Sequence, residues 1–220
     1  MTLDQALSRE IALEPRRSAL LFVDVQNFCA GPDGGEFKGI PADELEAKYG
    51  YYFDRMKRLA VPNMQRLQGA FRAGGMELLY TTVECLTLDC RDRSLDYKIS
   101  QFEVPKGSWD GKVIDEIAPD DNEIWLPKGS SSVFVSTNID YLLRCLEVRQ
   151  LVICGVVTDQ CVESAVRDAC DLGYLVTLVP DACATYTQAR HDNTLRAIKG
   201  YCRQRTTDEL LAEIGEAKAA

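Results

Sequence analysis

Short apolar runs alternate along this chain with segments whose apolar positions recur every three or four residues. Ala19-Leu20-Leu21-Phe22-Val23 is a continuous apolar run that stops at Asp24. Met64, Leu67 and Phe71 follow at helical spacing, and that pattern ends at Gly74-Gly75. Met76 to Val83 reads as a second strand, and Glu84 to Asn122 as a long, mostly polar stretch. Ile124-Trp125-Leu126 leads into Pro127-Lys128, and helical spacing returns at Ile139, Leu142, Leu143 and Leu146. Leu151-Val152-Ile153-Cys154 is a further apolar run that stops at Gly155. A polar turn follows, and Cys161 opens a helical pattern reaching Gly173. Tyr174 to Val179 is the last strand, with two helical stretches behind it. Apolar strands separated by amphipathic helices predict a parallel sheet covered on both faces.

In such sheets the ligand crevice lies beyond the carboxyl ends of the strands. Asp24, Lys128 and Cys161 each stand just past such an end, so the pattern predicts that they converge on one rim. A thiol becomes a nucleophile when a neighbouring carboxylate takes its proton, and a lysine ammonium stabilises both anions. A helix N-terminus is expected to lower the pKa of Cys161 further, and its N–H groups can hold an oxyanion. Each residue has a plain alternative. Asp24 alone would finish a turn, Lys128 alone would be a surface lysine, and Cys161 alone would be a small buried hydrophobe. A Cys–His pair is disfavoured, because the sole histidine, His191, falls in a polar C-terminal helix and reads as a surface residue.

Composition sets the outer limits. The 220 residues fit one domain, 27% charged and 46% from the AVILMFWYC set, as in soluble globular proteins. The formal net charge of −9 disfavours nucleic acid and anionic membrane as partners. No apolar stretch approaches the roughly 20 residues of a membrane span. Met1 to Arg17 lacks the apolar centre of a signal peptide. Nine cysteines, scattered and without a CxxC pair, read as reduced thiols of a cytoplasmic protein.

Taken together, these motifs resemble those of the isochorismatase-like cysteine hydrolases. The resemblance rests on Leu21-Phe22-Val23-Asp24-Val25-Gln26-Asn27, on Leu126-Pro127-Lys128, and on Gly155 to Ser164 followed by Arg167-Asp168-Ala169. Arg144 and Asp181-Ala182-Cys183-Ala184-Thr185 match as well, and the likeness runs from about Ser18 to Glu209. It implies an α/β fold, a Rossmann-like, doubly wound and mostly parallel six-stranded sheet with helices on both faces. Asp24 would be the base, Lys128 its electrostatic partner and Cys161 the nucleophile. The oxyanion hole would be the N–H groups of Val157 and Cys161, next to a cis peptide bond between Val156 and Val157. Relatives acting on nicotinamide hold a metal through early histidines. This chain has none before His191, so neither metal nor cofactor is expected.

Because Cys161 is retained, the resemblance favours C–N bond hydrolysis over vinyl ether cleavage. Pro105 to Asp110 and the Thr158-Asp159-Gln160-Cys161 turn are most similar to members acting on ureido or carbamoyl compounds. The expected partner is a small-molecule amide, with a homo-oligomer as the expected assembly. Candidate substrate contacts are Gln26, Glu84, Arg91, Arg93 and Trp109, with the arginines suited to a substrate carboxylate. Each is equally open to a structural role. Two other functions stay in view, a non-catalytic binding protein on this fold and a thiol redox sensor.

Overall fold

The computed structural model describes residues 8–219, so the first seven residues of the stretch read as lacking a signal peptide lie outside it. Its centre is a six-stranded sheet made of β1 (Ser18–Val23), β2 (Glu77–Val83), β3 (Ile124–Lys128), β4 (Gln150–Val156), β5 (Leu175–Ala184) and β6 (Arg203–Gln204). The spatial order is β3-β2-β1-β4-β5-β6, and every neighbouring pair is parallel. β1 and β4 are buried at every position. Both carry continuous apolar runs because helices cover each face of the sheet.

The helices are α1 (Asn27–Ala30), α2 (Ala42–Arg55), α3 (Val61–Gly74), α4 (Leu95–Ile99), α5 (Val133–Ser136), α6 (Ile139–Cys145), α7 (Glu163–Asp171), α8 (Gln188–Ala197) and α9 (Thr207–Ala219). α3 packs on β2, β5 and α9, while α7 packs on β4, β5 and α5. Met64, Leu67 and Phe71, the periodic positions of α3, are all fully buried. α3 ends at Gly75, which adopts a left-handed φ of 61°. Among the described residues no helix is long and apolar enough to cross a membrane.

Three features depart from the sequence pattern. The last strand does not stop at Val179. β5 continues through Pro180 to Ala184, and its register against β4 shifts between Ile153 and Gly155. A proline donates no ladder hydrogen bond and is tolerated at such an irregularity. Arg55 of α2 satisfies carbonyls freed there, bonding Pro180 O at 2.9 Å and Cys183 O at 2.8 Å. The polar stretch after β2 also holds a short helix, α4, capped by the Ser94 hydroxyl.

Third, Cys85 and Cys90 form a disulfide with a Cα–Cα distance of 5.0 Å. Reading all nine cysteines as reduced is therefore corrected. The loop between this pair folds back and brings the two sulfurs within bonding reach, which spacing along the chain does not reveal. The argument from cysteine usage to a reducing compartment loses its footing.

Gly155 is the tightest point of the sheet. It has a φ of +130°, and a Cβ placed there would lie 2.2 Å from the Val23 carbonyl oxygen. Only glycine lets β4 approach β1 so closely where the site begins. Gly155→Ala is expected to lower stability by about 3 kcal/mol or more in urea denaturation. A loss within about 0.5 kcal/mol, the range of a neutral surface change, would contradict this packing.

Candidate active site

Ladder register decides which side chains meet at the carboxyl edge. β1 is central, and its Val23 pairs with Thr81 of β2 and Gly155 of β4. Asp24 follows with a left-handed φ of 56°, a conformation that aspartate tolerates better than most residues. Its backbone N–H donates to Thr81 O at 2.9 Å, and the Thr81 hydroxyl donates to Asp24 Oδ1 at 3.2 Å. Lys128 closes β3, paired with Val83 across the β2–β3 ladder. From there it must reach past β2, about 9–10 Å in two ladder spacings, which suits a long side chain.

The ammonium of Lys128 arrives 2.8 Å from Asp24 Oδ2 and 3.4 Å from Cys161 Sγ. It also donates to Ser130 O at 2.7 Å and to the Tyr97 hydroxyl at 3.3 Å. Lys128 has no solvent-exposed surface, so its charge depends on these neighbours. Burial, the largest single influence, would lower its pKa, but Asp24, Cys161 and Tyr97 together outweigh it, Asp24 foremost, and hold it above the ordinary lysine value. The structure thus brings Asp24, Lys128 and Cys161 to one point.

Cys161 lies in a π-turn, Thr158–Val162, which runs directly into α7. The Val156–Val157 peptide bond before this turn is cis. The N-terminal helix position was expected to lower the Cys161 pKa. Instead burial pushes the thiol up to about 12, with Lys128 pulling it down and Asp24 pushing it up. These surroundings favour the thiol over a preformed thiolate. Asp24 Oδ2 is buried and accepts no aligned hydrogen bond despite its ion pair with Lys128. It is therefore open to a proton from sulfur.

α8 holds the turn in place from behind. His191 is buried, which corrects its reading as a surface residue. Arg55 donates to its Nε2 at 3.0 Å, so the proton of the neutral ring is on Nδ1, facing the Thr158 hydroxyl at 3.0 Å. Burial, with the Arg55 charge, lowers the His191 pKa to about 4 and keeps the ring neutral. Beside it, Asp159 accepts bonds from Thr185 Oγ1 and Arg190 Nε, each at 2.5 Å.

A cavity of about 490 Å³ opens over the Cys161 sulfur, lined by Asp24, Cys29, Val156 and Val157. None of the five candidate substrate contacts lines it. Gln26 is fully buried and links β1 to its neighbours, donating to Val83 O and Asp110 O and accepting from Val83 N. Glu84 is buried and accepts from Gly107 N at 2.6 Å. Arg91 pairs with Asp89 on the exposed loop at 3.1 Å. Arg93 braces that loop through Glu103, Cys90 O and Phe102 O. Trp109 is exposed and borders a separate groove. Glu84, Arg91 and Arg93 were suggested by residue type and by placement after a strand, and their polar atoms found partners within the loop.

The sequence reading placed Tyr97 among the polar residues crowding the stretch after β2 without giving it a role, and it did not single out Glu36. Tyr97 contacts both Lys128 and, at 3.8 Å, the Cys161 sulfur, and Glu36 lines the cavity. Tyr97 occupies a short helix, capped by Ser94, inside that polar stretch.

An all-parallel sheet with a buried Asp–Lys–Cys cluster at its carboxyl edge defines a class. The chain belongs to the isochorismatase family of hydrolases, whose isochorismatase domain matches residues 18–209. In fold it is similar to a cysteine hydrolase from Pseudomonas syringae pv. phaseolicola 1448A, at 24% identity and a TM-score of 0.79. That match covers 94% of this chain and 96% of the other. An N-carbamoylsarcosine amidase from Thermoplasma acidophilum is similar at 24% identity and a TM-score of 0.68, covering 88% and 98%. An isochorismatase-like hydrolase from Alkaliphilus metalliredigens matches at 21% identity and a TM-score of 0.69, covering 89% and 98%.

Removing one partner of the buried pair leaves the other charge uncompensated. Lys128→Met is therefore expected to cost about 3–5 kcal/mol in urea denaturation. Adding Asp24→Asn to it should restore much of that loss. Equal destabilisation in the single and double variants would contradict a coupled pair.

Proposed function

We propose that the protein is a cysteine-dependent amidohydrolase that cleaves the C–N bond of a small amide, with a ureido or carbamoyl compound as the preferred class. One observation carries this reading: a buried ammonium 2.8 Å from a carboxylate and 3.4 Å from a thiol, at a cavity of substrate size. In the first step Asp24 accepts the Cys161 proton while the sulfur attacks the amide carbonyl. Lys128 keeps its proton and balances whichever of the two groups is anionic.

The tetrahedral oxyanion would be held by the N–H groups of Val157 and Cys161 on the turn. Collapse breaks the C–N bond, and the amine leaves with the proton from Asp24. A thioester remains on Cys161, or a thiocarbamate where the substrate is a urea. Water then gives a proton to Asp24 and attacks the same carbonyl, and the departing sulfur recovers that proton. The sum is amide plus water giving acid plus amine.

Phe28, Val83, Tyr97 and Phe102 bring apolar surface to part of the cavity wall, and apolar surroundings strengthen charge interactions. The preference for carbamoyl compounds draws support from the likeness to a protein named for that activity. A binding protein or redox sensor has no use for both Asp24 and Lys128 beside the sulfur.

Ammonia release from a panel of ureas, carbamoyl compounds and simple amides tests the reading. The wild type should turn over at least one of them. Cys161→Ala should abolish turnover, and Asp24→Asn should lower kcat by about 10³-fold or more. Undiminished hydrolysis by Cys161→Ala would exclude the mechanism.

A further inference from the structure

The cavity contains a charged group that this mechanism leaves unused. Glu36 sits on the short 3-10 turn Gly35–Phe37 and lines the same cavity as Cys161. Its Oε1 accepts a hydrogen bond from the Tyr186 hydroxyl. Tyr186 stands edge-on to Tyr49, with ring centroids 5.3 Å apart, and both rings line the cavity. Among the described residues no cation pairs with Glu36. Burial against these rings pushes its carboxyl up to about 7, with the Tyr186 hydroxyl holding it down in part. An anion in this position lacks a counter-charge.

Nor does the cavity offer a cation to a substrate carboxylate. Its described lining includes no arginine or lysine, whereas Glu36 and, at the exposed mouth, Asp96 are acidic. Lys128 is committed to Asp24 beneath the sulfur. Arg91 and Arg93 are tied up in the loop outside. Arg190 lies over the Tyr186 ring, 4.9 Å from its centroid, but its charge is engaged by Asp159.

We propose that Glu36, together with the Tyr49 and Tyr186 rings, is a specificity-determining site for a cationic group, so that the substrate is a small amide ending in a protonated amine. The chemistry is the ordinary recognition of an ammonium by a carboxylate and the electron-rich faces of aromatic rings. Partial burial among these rings raises the value of the ion pair above that of a fully exposed one. This inference rests on the amidohydrolase reading and narrows it. It also differs from a substrate carboxylate held by arginine, for which the sequence offered Arg91 and Arg93 as candidates.

A matched series tests it: an alkylurea ending in an ammonium, one of the same length ending in methyl, and one ending in carboxylate. Ammonia release is measured for wild type and Glu36→Gln, and binding to Cys161→Ala by calorimetry. The ammonium urea should exceed the methyl urea in kcat/KM by about tenfold or more, with the carboxylate urea the poorest. In Glu36→Gln the ratio of ammonium to methyl should approach one, with the loss falling on KM.

Equal use of all three ureas, preference for the carboxylate, or an unchanged ratio in Glu36→Gln would overturn the recognition and leave the hydrolase standing. Selective ammonium binding without turnover of any urea would keep the recognition and overturn the ureido preference. Neither binding nor turnover would overturn both.

Discussion

The ion pair between Lys128 and Asp24 is the constraint on which the rest of this molecule turns. An ammonium with no contact to water is expensive unless opposite charge and acceptors surround it. Asp24, Ser130 O and the Tyr97 hydroxyl supply them, and each comes from a different part of the chain. The sheet order is what makes this possible, since it sets β1 between β2 and β4 and leaves β3 two ladders away. A shorter residue at the end of β3 would not span that gap. The left-handed backbone at Asp24 and the glycine at the end of β4 follow from the same demand for close approach.

That constraint also explains the state of the sulfur. Cys161 is buried beside one cation and one anion, and burial wins, raising the thiol above its ordinary value. Behind it, neutral His191 and paired Asp159 fix the turn without adding net charge at the sulfur. The rigid half of the site thus comes from strand ends and α8. The half proposed to select substrate comes from the segments after β1 and β2, where Glu36 and Tyr97 line the cavity.

The two halves differ in how well the sequence announces them. Apolar runs stopping at Asp24, Lys128 and Gly155 are visible because buried parallel strands admit few polar residues, so an ending is conspicuous. Strand ends in such a sheet share an edge, and convergence of the triad residues follows from topology alone. The pocket wall carries no comparable signal. Glu36 is one acid in a glycine-rich turn, and its value arises from Tyr49 and Tyr186, distant in sequence. Arg91 and Arg93 looked attractive by residue type, yet a loop closed by the Cys85–Cys90 disulfide and braced by Glu103 absorbs them. β5 was cut short at Pro180 because periodicity does not foresee a bulge served by Arg55.

The central claim is that Asp24 takes the proton of Cys161, and site-resolved alkylation distinguishes this from a purely electrostatic role. The negative charge of Asp24 raises the thiol pKa, so removing it makes thiolate easier to form. If Asp24 acted only as a charge, Asp24→Asn would react faster with a small neutral alkylating amide at neutral pH. The account predicts the opposite, slower labelling of Cys161 in Asp24→Asn than in the wild type, read by mass spectrometry of the Cys161 peptide. Faster labelling in the variant would contradict it.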